Sequence, residues 1–159
     1  MTEAELITIQ HLIEVGMIGA QTACKHEDLI PVLLMNTESD GIQAIGITTP
    51  PDISLQQEKM HMEAAIRMLL KQYNPSAYVH VVEGWATSFE RAAERVNGVI
   101  RDLPQDDRYD TAIITAVEKG NPIPVGYLAV IDTLRDGTRK IRSWEKSDSI
   151  AGRYIITDW

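Results

Sequence analysis

From Asp110 to Trp159 the chain is written almost wholly in β-forming residues, and this stretch limits the fold more than any other. DTAIITAVEK, IPVGYLAVIDTL, RKIRSWEK and GRYIITDW are rich in Ile, Val, Thr, Tyr and Trp. They are parted by Gly120-Asn121, Asp136-Gly137 and the segment from Ser147 to Gly152. Four strands therefore follow one another with only turns between them. Asp136-Gly137 is the clearest turn, because a type I′ hairpin needs positive φ at both central positions and Asp-Gly suits them. Consecutive strands of this kind pair antiparallel.

Helical spacing appears upstream. Leu6, Ile9, Ile13, Met17, Ala20 and Cys24 recur every three or four residues and predict a helix from residue 3 to about 24. Ile7, Leu12, Val15 and Ile18 make that helix apolar nearly all round, which predicts burial on more than one side and a second chain covering what a small domain cannot. Gly16 and Gly19 lower helix propensity by roughly 1 kcal/mol each. They either admit another backbone closely or kink the helix. PVLLMNT at 31–37 and GIQAIGITT at 41–49 read as a hairpin around Glu38, Ser39 and Asp40. Pro50-Pro51 stops the second strand, and Ser54 with Gln57 forms a capping box that opens a helix running to about Tyr73. Leu55, Met62, Ile66, Leu69 and Tyr73 are its expected seam, and Asn74-Pro75 its end. AYVHVVEGWAT at 77–87 is the next strand. Thr87 and Glu90 then form a second box before Phe89, Ala92, Ala93, Val96, Ile100 and Leu103, a third helix. The pattern is α+β: a mostly antiparallel sheet of about six to seven strands, with two to three helices gathered on a face of it.

Composition narrows the class. With 159 residues and 44% hydrophobic content the chain suits one globular domain, since domains commonly run ~100–200 residues. The single cysteine, Cys24, excludes an internal disulfide and fits a reducing compartment, so cytoplasm is expected. MTEAELITIQ has two glutamates and no basic residue, which is not the start of a secretory leader. Apolar runs such as LIPVLLM are too short to cross a bilayer. A net charge of −8, with 15 Lys and Arg interspersed among acids, argues against nucleic acid and membrane as partners and points to an acidic, soluble protein.

No glycine-rich nucleotide motif, H-E-x-x-H, G-x-S-x-G or EF-hand spacing is present. Cys24, His26, Glu27 and Asp28 gather potential metal ligands, yet one thiol and one imidazole lack the second pair that gives zinc spacing its specificity, so no metal or cofactor is expected. His61 borders an apolar seam and reads as ordinary. The anomaly lies in AYVHVVEGWAT. Strand alternation puts Val79, Val81, Glu83 and Trp85 on one face and Tyr78, His80 and Val82 on the other. A His80–Glu83 dyad is thereby split. Glu83, on an apolar face, needs a partner or a cavity. Arg108, Arg142 and Arg153 are the arginines placed to satisfy it; the alternative is a small-molecule ligand, held by Glu83, Trp85, Arg108 and His80.

The string Tyr78, Glu83, Trp85, followed by Pro104, Asp107, Arg108 and Asp110 ahead of TAIITAV, resembles small bacterial and phage proteins of unknown function over about residues 77 to 120. In those a strand ending Glu-x-Trp precedes a P-x-x-D-R-x-(D/E) loop. The resemblance implies no activity; it groups Glu83, Trp85 and Arg108. The expectation is thus a binding or assembly module that forms a homo-oligomer; the alternative is a small enzyme with Glu83 as general acid or base in a pocket lined by Trp85, packing the substrate, and Arg108, holding an anion.

Overall fold

The computed structural model describes residues 3–37, 41–86, 109–147 and 155–159. The predicted third helix, its capping box, Arg108 and Arg153 lie outside the described residues. The elements are α1 (Glu3–Ala23), β1 (Val32–Thr37), β2 (Gly41–Gly46), α2 (Leu55–Tyr73), β3 (Ala77–Ala86), β4 (Tyr109–Glu118), β5 (Val125–Thr133), β6 (Arg139–Ile141) and β7 (Glu145–Lys146). All pair antiparallel in one seven-stranded sheet of order β2-β1-β3-β4-β5-β6, with β7 also pairing β5. The α+β architecture is as the residue pattern predicts.

The helices are not gathered on one face. α1 packs Leu12, Ile13 and Ala20 against Leu34, Val79, Val81 and Ile114, whereas α2 packs Met62, Ile66 and Leu70 against Leu33, Met35, Tyr78 and Val117. The reason is the alternation of β1 and β3, which carry apolar side chains on both faces and so need a cover on each. α2 starts as its capping box dictates: the Gln57 N–H donates to Ser54 Oγ at 3.1 Å and the Ser54 N–H to Gln57 Oε1 at 2.9 Å. It stops at Asn74, whose left-handed φ of 44° lets its N–H reach the Leu70 carbonyl. Its buried stripe is Met62, Ile66 and Leu70, with Leu69 and Tyr73 half-covered beside it.

The two glycines of α1 behave differently. A Cβ on Gly16 would stand 3.2 Å from a Val81 methyl and 3.3 Å from a Leu34 methyl, so this residue lets the helix sink onto the sheet. A Cβ on Gly19 would meet nothing within 4 Å. Gly19→Ala is expected to raise stability by roughly 0.5–1 kcal/mol through backbone entropy alone, while Gly16→Ala gains less or loses, as urea unfolding would show.

Three expectations change in the C-terminal third. The turn after β5 is not type I′: of Asp136 and Gly137 only Gly137 has positive φ, at 86°. Gly137 donates to the Leu134 carbonyl and Leu134 to that of Thr138, while Asp136 Oδ1 accepts from the Thr138 N–H at 3.0 Å and its hydroxyl at 2.6 Å. The aspartate side chain takes the turn into the three-residue form with a glycine bulge. RKIRSWEK, expected as one strand, divides into β6 and β7. Ile131 pairs with Ile141 but Tyr127 with Lys146, so the register slips by one residue between them, the mark of a β-bulge.

GRYIITDW was expected as a strand, and its described residues, 155–159, are not one. They lie as a strap over the α2 side of the sheet. The Ile156 N–H donates to the buried Tyr78 hydroxyl at 3.0 Å, Gly120 donates to the Thr157 carbonyl, and the Trp159 indole donates to the Pro75 carbonyl at 2.8 Å. The Trp159 ring meets Tyr78 edge-on at 5.7 Å. Side-chain and loop partners have replaced a ladder. Burial pushes the Tyr78 hydroxyl up to about 12, outweighing the Ile156 N–H bond, which pulls the other way, so it stays protonated as an anchor. Tyr78→Phe leaves a buried N–H without its acceptor and is expected to cost roughly 1–3 kcal/mol in urea unfolding.

Candidate functional site

Glu83 meets an arginine, Arg139, which the sequence did not put forward; of the three that it did, Arg108 and Arg153 lie outside the described residues. Arg142 is instead held by Asp132 through two hydrogen bonds of 2.6 and 2.8 Å. Arg139 opens β6 directly after the Leu134–Thr138 turn, and its own N–H donates to the Lys25 carbonyl at 2.9 Å. From there the guanidinium spreads over three acceptors. Nη2 donates to Glu83 Oε1 at 2.5 Å, and Nη1 to the Glu27 carbonyl at 2.8 Å and Asp28 Oδ1 at 3.1 Å. Glu83 Oε1 also accepts the Leu29 N–H at 3.2 Å. The segment that carries the chain from α1 to β1 is thus tied at several points to β3 and β6.

Register explains why a carboxylate stands there. β1 pairs with β3 only up to Val32 opposite Val81, so beyond that point no strand among the described residues lies on the β1 side of β3. Leu29 approaches with a free backbone donor, and the Glu83 side chain satisfies it where a ladder cannot. The side chains of Arg139 and Glu83 are 10% and 15% exposed, against 90% for Asp28. Glu83–Arg139 is therefore the pair whose rupture is expensive, and Asp28 adds little. Burial works against the Arg139 charge, but the Glu83 hydrogen bond and charge more than offset it, holding the guanidinium above its ordinary value. Cys24, fully buried at the end of α1, has its thiol pushed up by burial, with Arg139 opposing.

Beside the knot opens a hollow of about 260 Å³ lined by Asp28, Leu29, Pro31, Glu58, Glu83 and Gly84. Its charged lining is acidic. Trp85 stands opposite Asp110 in the β3–β4 ladder, two residues along from Glu83. Arg108 belongs to the residues outside the description. His80 lies between Leu33 and Thr115 in the sheet, 3% exposed, and burial pulls its imidazole down to about 4, so it is neutral near neutral pH. Strand alternation splits it from Glu83, as the sequence implied. Among the described residues no three of His, Cys, Asp and Glu are grouped to hold a metal ion, and no helix is long and apolar enough to cross a membrane.

A second hollow, of about 220 Å³, is almost wholly apolar. It runs between α1 and the β2 side of the sheet, with Val15, Gly19 and Ala23 on one wall and Ile30, Val32 and Ala44 on the other. Ile30 in its wall is 54% exposed, and Ile18 on α1 is 68% exposed. Reading α1 as apolar all round flagged this surface, but which strand formed its far wall was not readable from the sequence. Comparison with protein-family models, with curated proteins and with solved structures found no match to this chain.

Proposed function

We propose that the chain is a non-catalytic binding or assembly module that works as a homo-oligomer in the cytoplasm. One observation carries the reading: the apolar hollow beside α1, with exposed Ile30 in its wall and Ile18 exposed on the same helix. A soluble monomer gains nothing by leaving such side chains in water next to an unfilled apolar trough, whereas an association would bury both. Light scattering over a concentration series is expected to give a mass above that of one chain. Ile18→Glu, at a position already exposed, is expected to return it to one chain with unchanged circular dichroism. A wild-type mass of one chain up to the solubility limit overturns the reading.

A second reading, a small enzyme in which Glu83 acts as general acid or base, rests on the acidic hollow of about 260 Å³. Three carboxylates there favour a cationic substrate. A thermal-shift screen with amine metabolites tests it: a hit lost on Glu58→Gln supports the enzyme, and an empty screen removes it.

A further inference from the structure

We infer that a second copy of the chain joins edge to edge through β2, in an antiparallel register centred on Ala44, so that two sheets become one. This rests on the assembly reading above and names the surface that performs it.

The two edges of the sheet are built differently. At one end stand β6, three residues long with Arg139 and Lys140, and β7, two residues long and both charged. Short length, charge and the bulge between them are the devices by which sheets refuse a neighbour. At the other end is β2, six residues reading GIQAIG, with no charge, no proline and no bulge against β1. Among the described residues nothing pairs with its outer side.

The register follows from the hydrogen bonds. Ile47 donates to the Pro31 carbonyl at 2.7 Å, continuing the β1–β2 ladder by one step, so Ile47, Ile45 and Gln43 turn their backbone groups toward β1. Ile42, Ala44 and Gly46 turn theirs outward. Two outward rows pair antiparallel only when like-facing residues meet. Centring on Ala44 sets Ala44 against the second copy's Ala44 and Ile42 against its Gly46, and uses every outward group of the strand. The same three residues lie on the α1 side, where Ile42 packs toward the core and Ala44 lines the apolar hollow. A two-fold axis normal to the sheet therefore brings both hollows to one seam.

Charge favours this seam over any other. Two copies at −8 each repel, and contact through their charged surface adds like-charge cost. From Gly41 to Pro51 the chain has no ionisable side chain. A second copy can approach there without that cost, and because the opposite edge is guarded, growth stops at two.

Proline separates this inference from the broader one. Ala44→Pro deletes an N–H that β1 does not use, so the fold is expected to stand with unchanged circular dichroism while the dimer dissociation constant rises by roughly 100-fold or more, the substitution acting twice across the axis. Ile45→Pro deletes an N–H of the β1 ladder and is expected to lower the melting temperature instead. In the dimer the amides of Ile42, Ala44 and Gly46 should exchange with deuterium at least tenfold more slowly than in dilute or Ala44→Pro protein. A wild-type dimer that Ala44→Pro leaves intact, or an assembly larger than two, overturns the β2 seam and leaves the assembly reading standing. A wild-type monomer overturns both.

Discussion

Arg139→Met is expected to be the most damaging single substitution outside the apolar core, lowering stability by roughly 3–5 kcal/mol. The methionine keeps the length of the arginine stem but withdraws the guanidinium donors from Glu83, Glu27 and Asp28. What dominates is the Glu83 carboxylate, left 15% exposed with a single neutral N–H at 3.2 Å to hold it. Asp28 is 90% exposed and returns to water without penalty. Two comparisons separate the buried pair from the loop contacts. Glu83→Gln retains an acceptor for the Leu29 amide and is expected to cost less than Arg139→Met. Combining Glu83→Leu with Arg139→Met removes both charges, and should recover part of the loss, because an absent ion pair is cheaper than half of one. Urea denaturation of the wild type, Arg139→Met, Glu83→Leu and the double variant gives the coupling energy. Equal losses in Arg139→Met and Asp28→Ala would show that the exposed contact, not the buried one, holds the loop.

The second large effect is one of pH. His80 is neutral in the fold, its imidazole pulled down to about 4 by burial, while the unfolded chain has the ordinary histidine value near 6.5. Below 6.5 the unfolded state therefore binds a proton that the folded state refuses. Stability falls as pH falls, by roughly 1.4 kcal/mol per unit, and roughly 3 kcal/mol is gone by pH 4. Asp132, Asp136 and Asp158 contribute in the same direction but lower down, since Arg142, Thr138 and Arg67 respectively hold their carboxyls below the usual range. The variant that isolates His80 is His80→Leu. The difference in unfolding free energy between it and the wild type should change by that amount between pH 7 and 4, and a pH-independent difference would refute the assignment.

What the sequence could reveal and what it could not divide along the distance between partners. The Ser54–Gln57 box, the stop at Asn74 and the extent of α1 are settled within a few residues, and they read correctly. The alternation of β3 correctly split His80 from Glu83. Where a competing local contact existed the reading slipped: Asp136 prefers to bond Thr138 rather than adopt the positive φ of a type I′ turn. The tail was harder, because Ile156 and Trp159 suit a strand but find their partners in Tyr78 and Pro75, about eighty residues away. Arg139 was hardest. It lies 56 positions from Glu83. One signal did point to it: it directly follows a recognised turn, so it opens the strand that returns beside β5. Nothing local told which of the arginines the fold would deliver to Glu83.

The single hydrogen bond from the Leu29 amide to Glu83 also makes a gauge. It lies outside any strand ladder, and its donor can be followed by exchange without unfolding the molecule. Core amides of β3 and β4 report the global transition. Leu29 reports how often the arginine knot lets go, so the ratio of the two rates reads out the local opening of this one junction while the rest of the protein stays folded.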